Sequence, residues 1–99
     1  MAQTGSDTMG SGTVQMGKAA SLDTVTLSSG VQIVAHPSNA GIVYVGYANT
    51  VTANSKNTTD GVPLAAGAGY FVPKINAPTI GSVFLVGSAS TQTITFDPQ

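Results

Sequence analysis

The stretch GIVYVGYANT, residues 41–50, alternates as a strand does, yet both of its faces are apolar. Ile42 and Tyr44 fall on one side and Val43, Val45 and Tyr47 on the other, with Gly46 the only gap. Successive strand side chains point to opposite faces of a sheet, and a small domain covers one of those faces with its own core. The reading of this chain turns on what covers the second.

Outward from this strand the period stays at two. Upstream, LDTVTL (22–27) and VQIVAH (31–36) are β-type runs separated by Ser28-Ser29-Gly30, which suits a short hairpin loop. HPSNAG (36–41) is a turn cluster in which Pro37 holds His36 extended. Downstream, a long polar loop contains the tight-turn pair Asp60-Gly61 and then Pro63. YFVPKI (70–75) resumes strand character, and Pro73 confines it to an edge or a bulge. VFLVG (83–87) and TQTITF (91–96) flank a short turn and read as a terminal hairpin, with Ile94 and Phe96 inward and Thr93 and Thr95 outward. No ten-residue segment carries a helical period. Six short strands between Gly- and Pro-rich turns predict an all-β domain, a small antiparallel sandwich or barrel spanning 22–99.

Residues 1–21, MAQTGSDTMGSGTVQMGKAAS, are rich in Gly, Ser, Thr and Ala and have no periodic pattern. They read as a flexible or extended N-terminal arm. Met9, Val14 and Met16 stand along it as candidate contact residues that order against a partner.

Composition narrows the function classes. The 99 residues make one domain, which folded alone buries roughly 60–65% of its unfolded surface. There is no Cys, so neither disulfides nor thiolate metal sites staple it. Small domains in that position often gain stability by assembling with copies or partners. Four Asp oppose three Lys, with no Arg and no Glu. Three scattered lysines do not neutralise enough phosphates for nucleic-acid binding. The first ten residues lack the basic and apolar regions of a signal peptide, and VFLVG is too short to span a bilayer as a helix. The expectation is therefore a chain made in the cytoplasm, with neither nucleic acid nor membrane as partner.

Candidate chemistry is sparse. His36 is the lone imidazole, sits in a turn, and has no carboxylate within ten residues to orient it as a base. The four Asp are dispersed, and a calcium loop would need a bidentate Glu. GAGYFV (67–72) enters a strand rather than opening a helix, so it lacks the amides of a phosphate loop. No catalytic residue, cofactor or metal site is expected, and the chain reads as a non-enzyme. Tyr44, Tyr47, Tyr70 and Phe71 exceed what one sheet face can bury and point to a subunit interface. VYVGYANT (43–50) and FLVGSAST (84–91) also share an order of residue types, as a duplicated hairpin or two ordinary strands would.

Three blocks in order, NAGIVYVGYANTVTAN, GVPLAAGAGYFV and GSVFLVGSAS, resemble a set of small tailed-bacteriophage virion proteins. The matching positions are Asn39, Gly41, Val43, Tyr44, Val45, Gly46, Gly61, Pro63, Leu64 and Gly67, within about half of the chain. Pro73 and Lys74 depart from the pattern, and residues 1–21 match nothing in it. The resemblance implies a capsid decoration or cement protein on the head surface of a virion. Its partner would be the major capsid protein or another virion protein, and its own state a homotrimer at local threefold positions. One face of 42–48 would then meet the core, and Val43, Val45 and Tyr47 would meet a sister subunit. A head-fibre, tail or baseplate component of the same fold is the alternative. A carbohydrate-binding module using Tyr47, Asn49 and Asn54 is a more distant one.

Overall fold

A computed structural model describes residues 4–49, 51, 61–88 and 91–99. Its strands are β1 (Gly5–Met9), β2 (Val14–Gln15), β3 (Gly30–Ala35), β4 (Val43–Gly46), β5 (Val62–Leu64), β6 (Gly69–Pro73), β7 (Phe84–Gly87) and β8 (Gln92–Pro98), with a single 3₁₀ turn at Ile80–Ser82. They form two four-stranded sheets, ordered β1-β8-β3-β6 and β2-β7-β4-β5, with every pairing antiparallel. The fold is an all-β sandwich.

The alternation in β3 and β8 builds the first sheet's inner face. Val31, Ile33 and Ala35 are fully buried, as are Ile94 and Phe96 opposite them, while Thr93 and Thr95 turn outward. Val43, Val45 and Leu85 answer from the second sheet and join the same core. β6 is the outermost strand of its sheet, one of the two positions that Pro73 allows. Gly30, at φ 151°, opens β3 where an added Cβ would run into the Val72 carbonyl.

Consecutive strands mostly do not pair. Only β4 and β5 follow one another within a sheet; each other step along the chain crosses between sheets. The expected terminal hairpin is accordingly absent: β7 and β8 lie in different sheets, and Thr91 takes a left-handed φ of 57° as the chain enters β8. Polar side chains staple this crossing to the β3–β4 turn. Asn39 receives the Thr93 N–H on Oδ1 and donates from Nδ2 to the Thr93 carbonyl, both at 2.9 Å. The Gly41 N–H donates to buried Gln92 Oε1 at 2.9 Å, and the Ile42 N–H to Ser88 Oγ at 2.8 Å.

Residues 22–27 were expected to be a strand, and they make only an isolated bridge, Thr26 to Thr79. Their partner segment contains Pro78, which has no N–H, and then winds into the 3₁₀ turn, so no ladder propagates. Leu27 is nevertheless buried and Leu22 and Val25 pack against the core. The hairpin at 28–30 is absent too; Ser29 instead bonds sideways to Lys74 and Gln99. The echo between 43–50 and 84–91 is one of composition. A duplicated strand keeps each position on the same face, whereas Val43 and Val45 face the core and their counterparts Phe84 and Val86 do not.

The largest correction concerns residues 1–21. The sandwich begins at Gly5, not at 22. β1 pairs along its length with β8, from Gly5 opposite Phe96 to Met9 opposite Gln92, and β2 pairs with β7. Met9 and Met16 are buried in the core and Val14 packs against it, so these three are the domain's own anchors rather than a free contact arm. The reason is geometric: with β8 and β7 otherwise at sheet edges, the N-terminal segment is the cover that completes both sheets on one side.

Candidate interaction surface

The outer face of β4 is covered by the chain itself. Val51 folds back over it and forms a small cluster with Tyr44 and Val86, flanked by Ile42 and Phe84. Two glycines make room for that side chain. A Cβ on Gly46 would lie 2.9 Å from the Val51 Cβ, and one on Gly61 2.7 Å from its Cγ2. The gap in the apolar pattern at Gly46 is thus the slot that receives Val51. Val43 and Val45, expected at a subunit interface, are inside the protomer, because the sandwich core takes their face of the strand.

Tyr47 remains at the surface, 42% exposed, and it brings a different group of residues together. It follows β4 in the second sheet, and its hydroxyl lies 3.2 Å from that of Tyr70 on β6 in the first. The Asn76 side chain also hydrogen bonds to Tyr47. Partial burial pushes the Tyr47 hydroxyl up to about 12; the Tyr70 bond and charge add to the rise, and the Asn76 bond opposes it. The phenol therefore stays neutral across the physiological range and acts as a hydrogen-bonding group, not as a base.

Two more large apolar side chains are exposed on and just beyond β6. Phe71, the next residue on β6, points to the outer face opposite Gln32 and is 43% exposed, its ring tip over Gly30. Ile75, two residues beyond β6, is 90% exposed. Tyr70 and Phe71, on opposite faces of β6, together with Tyr47, Ile75 and Asn76 thus put large side chains on and beside one edge strand, and Lys74 is a cation on the same segment. Large rigid aromatics on a neutral surface are the usual makings of a protein contact. From the sequence, Tyr47, Tyr70 and Phe71 were readable as surplus aromatics; Asn76 and Ile75 carry no local signal and are placed there only by the turn after β6.

The remaining candidates have structural roles. His36 Nδ1 accepts the Ser38 N–H at 3.0 Å within the exposed turn. Asn49 is exposed, and Asn54 and Asp60 lie outside the described residues. Asp23 makes a loose ion pair with Lys18, 3.8 Å apart. No three His, Cys, Asp or Glu gather into a metal-binding group among the described residues. Nor is any helix among them long and apolar enough to cross a membrane.

Asp7 is the residue that the sequence hid. Between Gly5 and Met9 on β1 it faces inward, opposite Ile94, and is almost wholly buried. Its Oδ2 accepts the Gly17 N–H at 2.8 Å, while Oδ1 has no partner among the described residues. Burial pushes the carboxyl above its ordinary value, and the Gly17 bond only partly offsets this. Comparison with protein-family models, curated proteins and solved structures finds no match for this chain.

Proposed function

We propose that the chain is a non-enzymatic structural component of a phage virion, a decoration protein that binds the outer surface of the head. One observation carries this reading. The three blocks of the resemblance contribute β4, β5, most of β6 and β7; β7, β4 and β5 are hydrogen-bonded neighbours in that order, while β6 lies in the other sheet. Gly46 and Gly61 from two of those blocks enclose the same Val51 side chain, and Asn39 and Gly41 staple the turn before β4. The shared residues therefore pack around one strand pair, β4 and β5, and the reading rests on that together with the resemblance itself. The neutral aromatic edge around β6 supplies the contact with the shell or with a sister subunit, in place of Val43 and Val45. A homotrimer belongs to this reading as the resemblance implies it.

A decoration protein stabilises a shell by binding the assembled form better than free subunits, and repetition over many sites sums modest contacts. In a density gradient of virus particles from the source, the protein should co-band with heads at a copy number comparable with the major capsid protein. Purified chain added to heads stripped of it should raise their melting temperature. A variant combining Tyr47→Ser, Phe71→Ser and Ile75→Ser should stay folded and fail to do so. Absence from banded particles would overturn the reading; presence only in tails would replace it with the tail or baseplate alternative.

A further inference from the structure

Apart from the bond from the Lys18 N–H to the Gln15 carbonyl at its border, residues 5–16 are held to the rest of the domain by distant parts of the chain. β1 lies on β8, β2 on β7, the Met16 N–H donates to Val83 and the Gly87 N–H to Gly10. Met9 and Met16 fill the core between them. The bond from Gly17 to Asp7 ties the segment's two ends together and lies within the segment and its border, so it travels with them. By contrast, the link to the body is slight. Lys18, Ala19, Ala20 and Ser21 are exposed and form a turn closed by three local bonds, Lys18 to Gln15, Ser21 to Lys18 and Leu22 to Gly17, with the loose Lys18–Asp23 ion pair across it.

That turn is strained. Ser21 has φ 59°, a left-handed conformation disfavoured for a residue with a Cβ, and Gly17 at its start has φ 79°. Straightening the turn relieves Ser21, breaks a few local backbone bonds and the loose Lys18–Asp23 pair, and extends four residues over about 13 Å. A short strained hinge beside a segment whose strand pairings and core contacts are non-local is the arrangement that lets an element pass to an identical chain, since those pairings and core contacts are offered again. We infer that the 5–16 segment exchanges between copies of this chain about the hinge at 18–21, each copy seating its strap on β8 and β7 of a neighbour. This goes beyond the virion reading and stands without it; in a trimer each strap would pass to the next copy around the threefold axis.

The absence of Cys allows a direct test. Thr8 and Thr93 are opposite one another across β1 and β8, close enough for a disulfide between strands. A chain carrying both Thr8→Cys and Thr93→Cys should form an internal disulfide at low concentration, which reports the register. The two single variants, mixed, concentrated and oxidised, should give a cross-linked heterodimer in more than about tenfold excess over either homodimer, because only exchange brings those two positions of different chains together. Native mass spectrometry then reads whether two or three copies close the assembly. Ser21→Gly, which removes the strain of the closed turn, should lower the exchanged fraction about fivefold per hinge. Ser21→Pro, which cannot adopt a positive φ, should raise it. Ser6→Cys with Thr95→Cys repeats the test should the first pair misfold. Heterodimer no more abundant than the homodimers after joint refolding from denaturant, or a yield unmoved by both Ser21 variants, would overturn the inference.

Discussion

The two sides of the sandwich are built alike and finished differently. On each, the chain crosses from one sheet to the other and supplies an edge strand to both: β1 and β2 on one side, β5 and β6 on the other. On the β1–β2 side the large side chains go inward; Met9 and Met16 are buried and so is Asp7. On the β5–β6 side Phe71 and Ile75 turn outward and Tyr47 stands beside them, while Pro63 and Pro73 remove N–H groups from the edge strands. One side completes the core with what it buries, and the other is blunted by proline and leaves its large side chains in solvent. The contrast teaches that the domain's own stability rests on the N-terminal segment, while the β5–β6 side carries the surface that the proposed contact would use.

The largest effect should come from unsealing the first side. Met16→Ala leaves a cavity in a fully closed core and should cost about 2–5 kcal/mol in chemical denaturation, a large share of a domain's usual 5–15 kcal/mol. Deleting residues 1–16 removes two strands as well and should leave no cooperative unfolding transition. A truncated chain that melts cooperatively would restore the arm reading and erase the contrast between the sides.

A smaller effect, and one that sharpens the contrast, should come from Asp7. Its carboxyl binds a proton more tightly in the folded chain than in the unfolded one, so its favourable contribution is whole below the ordinary value of 3.8. That contribution fades as pH rises through the raised value. Asp7→Asn should remove this pH dependence and stabilise the domain near pH 7 by about 1 kcal/mol, because a neutral orphan group is less costly to bury than a charged one. Urea melts at pH 4 and pH 7 separate the outcomes; an Asn variant less stable at pH 7 would mean that the charge itself holds Gly17.

The smallest change in stability should follow substitution on the open side. Ile75→Ser should shift stability by less than about 0.5 kcal/mol, since that side chain is almost fully in solvent. Tyr47→Phe, which loses only the hydroxyl bonds to Tyr70 and Asn76, should cost about 1 kcal/mol or less. A loss of several kcal/mol from Ile75→Ser would show that the second side is sealed as the first is.

How far the sequence could be read depends on how local each signal was. Val31-x-Ile33-x-Ala35 and Ile94-x-Phe96 alternate against polar neighbours, so their inward faces were legible. β1 was not, because its inward set is Gly5, Asp7 and Met9. Gly5 is small because the Phe96 ring occupies the place of its Cβ, a fact visible only once residues 91 apart are neighbours. The terminal hairpin was misread for a similar reason: Ser88 reads as a turn residue and Gln92 as an ordinary strand residue, and their bonds to Ile42 and Gly41 across the sandwich leave no local signal. Of the contact surface, the aromatics were legible and the bridge between Tyr47 and Tyr70 was not.

By itself, then, the sequence determined the all-β class, the inward faces of the central strands and the confinement of the Pro73 strand to an edge or a bulge, of which the structure shows the edge. Period-two patterning and proline chemistry act over a few residues and need no partner to be read. Tertiary structure alone decided that residues 5–16 complete both sheets, that Val51 covers the outer face of β4, and that Val43 and Val45 lie inside. Alternation tells which side chains of a strand share a face. What covers that face is settled by packing between segments far apart in the chain.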